Sequence, residues 1–249
     1  MSRPPHSSLI THHVFIGTSG WNYDDWKGIF YPEGLPGSRW LERFAQRFST
    51  VEINFSFYKW PEREQFEKWA KQTPDGFIFA VKASRYLTHR KKLRDATEPV
   101  ARTITSVRGL GHKLGPILFQ LPPRWKVNIQ RLREFLALLP RDIRYAMEFR
   151  DSSWLVDEVY DLLREYGVAN CIMAAPDLPR VMKVTAPFSY IRMHSGGAET
   201  EGRFTEEQLG WWADQIKGML KTVDVYVYFN NDYKGFALEN AKRLIEMVS

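Results

Sequence analysis

The amino-acid sequence predicts an α/β protein built as a TIM-type (β/α)8 barrel. Three observations lead there: eight short strand-like runs in 249 residues, amphipathic segments between most of them, and polar side chains gathered at the C-terminal ends of the runs. The runs cover residues 13–20, 50–57, 77–84, 116–123, 145–151, 169–175, 188–196 and 224–232.

The first run, "HVFIGTSG", is followed by the helical pattern "SRWLERFAQRF", with Ser38 expected as N-cap. After "TVEINFSF" comes "PEREQFEKWAKQ", where Pro61 fits a first helical turn because the N–H it lacks has no intrahelical acceptor there. "FIFAVKAS" leads into the basic stretch "KASRYLTHRKKLRDA", and "PILFQLPP" into a helix expected from Asn128. The fifth run, "YAMEFRD", precedes "SSWLVDEVYDLLREYG", a helix expected to stop at Gly167. The sixth run, "ANCIMAA", is the weakest. Beyond it, "PDLPRVMKVTAP" holds too many prolines for a full helix, so the connection to "FSYIRMHSG" is expected to be irregular. Thr205 and Gln208 then form a capping-box signature ahead of the last run, "DVYVYFNND". A dinucleotide-binding fold is disfavoured: "GTSGWNYDDW" lacks the glycine fingerprint after the first strand, and "GLGHKLG" leads into a strand rather than out of one.

Residues 1–12 are expected to be a flexible tail and 13–249 a single barrel domain. No apolar run is long enough for a membrane span, and the N-terminus lacks a signal peptide's apolar segment. The lone cysteine, Cys171, lies in an apolar run and cannot form an internal disulfide, which suits a reducing cytoplasm. Net charge is +6, with a pI near 9.3. The positive charge concentrates in Lys82, Arg85, Arg90, Lys91, Lys92 and Arg94, read as a solvated helix start or as an anion-attracting lip.

Alternation along the strands gives the inward set. Tyr145, Met147 and Phe149 share one apolar face, which leaves Glu148 and Arg150 on the other. The same parity turns inward Glu52, Asn54, Lys82, Gln120, Arg192, His194, Asn230 and Asp232, all near C-terminal strand ends. In a barrel these ends converge on one mouth.

The blocks "GTSGWNYDDWKGIFYP", "FSTVEINFSFYKWP", "FAVKASRYLTH", "KLGPILFQLPP", "EFRDSSW" and "VYVYFNND" resemble the YecE-like family, domain of unknown function family 72. The resemblance implies a TIM-barrel-like fold and brings no settled activity. It marks Trp21, Tyr23, Trp26, Tyr58, His89, Trp154 and Asn231 as family-typical, alongside the inward set. Asp151 departs from the family's frequent histidine after "EFR", and Phe55 replaces a commonly small residue, pointing outward by parity.

Chemically, the expectation is an enzyme acting on an anionic substrate, a phosphate ester or nucleotide-like compound. Glu52 and Glu148 are assigned acid–base roles; carboxylates walled off from solvent and fully paired would count against this. His194 and Lys82 move protons, and Arg150, Arg192 and Lys82 hold the anion. Asn54, Gln120, Asn230, Asn231, Asp232, Trp21, Tyr58 and His89 complete the substrate-binding set. Gly196 and Gly197 would let backbone amides approach an anion. No cofactor is predicted; a divalent metal on His194, Glu52, Glu148 and Asp232 is a minor alternative, opposed by three inward cations. A glycosidase would need Glu52 and Glu148 to flank a bond. A nucleic-acid-binding protein without turnover and a metal-dependent phosphodiesterase are the other readings.

Overall fold

Period-two patterning sorts the strand side chains onto two surfaces, and a closed barrel buries both. The structure, a computed structural model, describes residues 12–58 and 60–249; the expected tail falls almost wholly outside them. Eight strands, β1 Val14–Ser19, β2 Thr50–Ile53, β3 Ile78–Lys82, β4 Leu114–Gln120, β5 Tyr145–Glu148, β6 Ala169–Ala174, β7 Phe188–Met193 and β8 Asp224–Phe229, pair in parallel and in chain order, β8 closing on β1. This is the TIM-type barrel the sequence predicts.

Among the described residues eight α-helices accompany them: α1 Trp40–Ala45, α2 Phe55–Tyr58, α3 Arg63–Lys71, α4 Thr97–Val107, α5 Ile129–Ala137, α6 Asp157–Tyr166, α7 Glu206–Met219 and α8 Phe236–Val248. Three end signals act as read. The Asn128 side chain accepts the Arg131 N–H, Gly167 closes α6 in the left-handed region (φ 65°), and Thr205 and Gln208 form a reciprocal capping box. Two do not: Ser38 lies inside a 3-10 turn ahead of α1, and Pro61 precedes α3, whose N-cap is Glu62. No helix occupies residues 175–187, the proline-rich connection between β6 and β7.

The expected second strand is too long, because the chain turns at Asn54 into the short helix α2. Phe55 is therefore not an outward strand residue packed under a helix; it is 52% exposed at the barrel mouth. Otherwise parity holds. Val51, Val81, Phe119, Tyr145, Met147, Ile191 and Val227 join the large cluster shared with the helices, whereas Ala80, Leu118, Ala146, Tyr190, Tyr226 and Tyr228 form a separate inner one. No helix among the described residues is long and apolar enough to cross a membrane.

Close approach of β1 to β2 requires glycine at position 17, since a Cβ there would sit 2.2 Å from the Thr50 carbonyl oxygen. Gly17→Ala should therefore cost about 1–3 kcal/mol in urea unfolding by forcing the strands apart. The control Gly210→Ala, in α7 with open space around its Cα, should instead gain about 0.5–1 kcal/mol.

Candidate functional site

The register carries the polar strand ends to one level. Ser19 pairs with Glu52 across β1 and β2, and Gln120 with Glu148 across β4 and β5. Arg192 projects from β7 into their midst and is almost wholly buried. Its Nη1 donates to Glu148 Oε2 at 2.8 Å, and its Nη2 donates to Glu52 Oε1 at 2.9 Å and Ser19 Oγ at 3.2 Å. A longer contact, 3.4 Å, runs from Nη1 to Gln120 Oε1.

Both carboxylates are spoken for. Ser19 Oγ donates to Glu52 Oε1, Tyr190 Oη donates to Glu52 Oε2 at 2.6 Å, and Arg150 Nε donates to Glu148 Oε1. The Cys171 thiol, pushed up by burial, lies 3.8 Å from Glu148 Oε2. Each carboxylate is 0% exposed. Burial alone would raise Glu148, but Arg192, with Arg150 and Lys82 behind it, holds the carboxyl well below the usual carboxylate range. Sealed from solvent, with its oxygens engaged by neighbouring donors, neither carboxylate can meet a substrate proton, so the geometry argues against the acid–base role assigned to Glu52 and Glu148. Nor can they flank a glycosidic bond, because the space between them holds the Arg192 guanidinium.

His194 also takes a different part from the one expected. Burial pushes its imidazole down to about 3, outweighing the attraction of Glu148. The ring is neutral at pH 7. Arg150 Nη2 stands 3.0 Å from His194 Nε2, and a guanidinium can only donate, so Nε2 accepts and the ring proton resides on Nδ1. That ring is a hydrogen-bonding post for Arg150, not a reservoir of protons.

Lys82, at the end of β3, is different. The residue is 8% exposed, and its Nζ sits 4.0 Å over the ring of Phe57. Among the described residues it has neither a hydrogen-bond acceptor nor an ion-pair partner. Burial first, and then Arg192, lower its amine to about 8. His89 meets the same Phe57 ring edge-on, bonds Thr88 Oγ1 through Nδ1 at 2.9 Å, and is pushed down by burial and by Lys82.

The remaining candidates divide. Asn54 donates to Ser19 Oγ at 2.8 Å and lines a neighbouring cleft of about 480 Å³ with Trp21, Tyr23, Tyr58 and Trp69. The cleft adjoins the cluster through Asn54, and neither Lys82, Arg150 nor Arg192 lines it. Asn231 is a staple away from the cluster: its Nδ2 bonds the Gly202 carbonyl and Asn240 Oδ1, each at 3.0 Å. Asp232 accepts the Trp26 indole N–H through its backbone, and burial raises its carboxyl. Among the described residues Asn230 Oδ1 is buried without a partner. Asp151 caps the turn after β5 by accepting from the Ser153 N–H and hydroxyl. The expected glycine cradle is closed, because Gly196 N–H donates to the Gly202 carbonyl and Gly197 N–H to Ser195 Oγ. Sequence reading passed over Ser19, Tyr190 and Phe57. The first two share the inward parity of Glu52 and Arg192; Phe57 gave no signal, because α2 was read as strand.

Glu148→Gln should strand Arg192 and Arg150, costing about 3–5 kcal/mol in urea unfolding at pH 7. Since Glu148 is depressed in the fold, its contribution is fully present above the unfolded carboxylate range and is lost as pH falls below about 4.3. The variant's stability should accordingly change less than the wild type's between pH 5 and pH 2, a comparison that acid titration of the two proteins makes directly.

The model of the family described as "Protein of unknown function DUF72" matches residues 15–249. The UPF0759 protein YunF of Bacillus subtilis is 27% identical over 270 aligned positions, covering 94% of both chains. The UPF0759 protein YecE of Escherichia coli K12 is 29% identical over 138 positions, spanning 55% of this chain and about half (48%) of that one. A crystal structure of a DUF72 family protein from Thermotoga maritima superposes with a TM-score of 0.83 at 31% identity, covering 95% of this chain and 99% of the other. A DUF72 family protein from Enterococcus faecalis shares the fold, with a TM-score of 0.81 at 19% identity. With the same barrel and a family match over nearly its whole length, the chain belongs to the DUF72 family of YecE-like proteins.

Proposed function

We propose that the barrel mouth binds a small anionic molecule, a phosphate ester or nucleotide-like compound, and that the protein is an enzyme in which Lys82 moves the proton. The observation that carries this is an uncompensated cation. Arg192, Arg150 and Lys82 face only Glu52 and Glu148, and the neutral His194 adds no charge. Stability alone does not call for an ammonium placed in this way. Lys113 shows how the same chain satisfies a structural buried lysine: its Nζ donates to the Ala70 and Thr73 carbonyls at 2.7 and 2.6 Å. Lys82 has nothing equivalent.

The roles then shift from those read in the sequence. Glu52 and Glu148 hold Arg192 rigid, Glu148 and His194 aim Arg150, and Arg150 keeps Nη1 without a protein acceptor among the described residues. Arg150 and Lys82 supply the donors for an anion, with Gln120 and Asn54 at the edge. With an amine near 8, Lys82 exchanges a proton close to neutral pH. Turnover on a divalent metal finds less support. The carboxylates it would need are turned onto guanidinium groups, and among the described residues no group of three or more His, Cys, Asp or Glu is placed to hold an ion.

A second reading, binding of single-stranded nucleic acid, rests on the rim beside Lys82. Arg85, Arg90 and Arg94 are exposed in that stretch, as is the ring of Tyr86, with Lys91 Nζ 6.0 Å from the ring centre. In that case oligonucleotide affinity falls steeply with salt and drops further when Arg90 and Arg94 are removed.

Sulfate does not titrate in the neutral range and makes a clean probe of the cation excess. Isothermal calorimetry should show saturable sulfate binding that is full at pH 6.5, weakens as pH rises through about 8, and is lost in Lys82→Met. Equal binding by wild type and Lys82→Met, or none by either, would sink the proposal.

A further inference from the structure

We infer that Lys82 is also a covalent nucleophile, one that forms a Schiff base with the carbonyl carbon of a small anionic aldehyde or 2-oxo acid. The inference deepens the proposal of an anion-binding mouth and rests on it. A lysine that only donates a hydrogen bond to a bound anion is best served by a neighbouring carboxylate that keeps it an ammonium. Lys82 lacks that partner, so it parts with its proton more readily than an ion-paired lysine. The two carboxylates within its field, Glu52 and Glu148, spend their oxygens on Arg192, Arg150, Ser19 and Tyr190. The face of the Phe57 ring lies under the amine at 4.0 Å, a weaker partner for an ammonium than a carboxylate would be. Arg192 and Arg150 stand close enough to disfavour a third positive charge. Desolvation combined with neighbouring cations is how proteins keep a lysine nucleophilic near neutral pH.

The same cations give the substrate its orientation. A carboxylate or phosphate on the free edge of Arg150 brings an adjacent carbonyl carbon toward Lys82 Nζ. The amine's lone pair forms the C–N bond and the carbonyl C–O bond breaks. Its oxygen departs as water with the two amine protons, and the imine then takes up one proton to become the iminium. No oxidant or reductant is consumed.

Charged and titratable groups facing Lys82 come from several elements: Glu52 on β2, Glu148 at the end of β5, Arg150 just beyond it, Arg192 on β7, His194 after β7, and His89 in the turn after β3. Glu52 and Glu148 raise the amine, while burial, Arg192 and Arg150 lower it, and the lowering prevails.

Glyoxylate with sodium cyanoborohydride converts a Schiff base into a stable carboxymethyl-lysine, which peptide mass spectrometry locates. At pH 7 Lys82 should be modified roughly ten- to a hundred-fold faster than the exposed Lys217 and Lys221, from its larger neutral fraction. Its rate should level off above pH 8, and sulfate should slow it without slowing the other two. Modification of Lys82 no faster than Lys217 overturns the inference. If calorimetry still shows sulfate binding in that case, the covalent role falls alone; if sulfate binding is absent too, the anion-binding reading falls with it.

Discussion

The buried guanidinium of Arg192, clasped between Glu52 and Glu148, is the interaction on which the barrel mouth depends. It ties β7 to β2 and to β5 through the interior, and Ser19 and Gln120 extend the tie to β1 and β4. Five strands thus converge on one side chain. An ion pair taken this far out of water gains little stability on balance, because desolvating the three groups offsets most of their attraction. What it supplies is position. The guanidinium is planar and its donors are fixed in direction, so both carboxylates are held to one geometry, and Tyr190 and Arg150 are oriented in turn by the oxygens that remain.

That arrangement makes two buried lysines instructive. Lys113 closes the end of α3 by donating to carbonyls and is silent chemically. Lys82 faces a cluster whose negative charge is already claimed, and it rests on Phe57 instead. The carboxylates therefore act on Lys82 from a distance: they fix the guanidinium groups that lower its amine, and they withhold the partner that would restore it. Acidic residues that draw attention as catalysts become the frame that holds the guanidinium groups in place.

The aromatic cleft beside the cluster adds a neighbouring surface. Trp21 and Trp69 meet edge to face at 5.4 Å on its wall, and Tyr58, 75% exposed, stands at its edge. Asn54 belongs to both, with its Nδ2 on Ser19 and its Oδ1 buried without a partner among the described residues. Trp26 and Trp154 follow their strands as Trp21 does, yet both are wholly buried, Trp154 stacked on Phe149. The tryptophans after the strands are thus of two kinds, and only packing distinguishes them.

The sequence by itself determined the architecture and the charged members of the mouth. Alternation set Tyr145, Met147 and Phe149 against the helices and turned Glu148 inward; caps at Asn128, Gly167 and Thr205 set helix ends; proline content left residues 175–187 without a helix. These are local consequences of side-chain direction and backbone hydrogen bonding, which a short stretch of chain already contains. Tertiary structure alone decided who pairs with whom. Parity puts Glu52, Glu148, Lys82, Arg150 and Arg192 in one space but cannot say that Arg192 would take both carboxylates and leave Lys82 without either. Nor can it show that the turn at Asn54 would place Phe57 beneath the amine, or that the Gly196–Gly197 loop would spend its amides on itself. Charge state depends on neighbours brought together by strands far apart in sequence, and only the closed barrel fixes those distances.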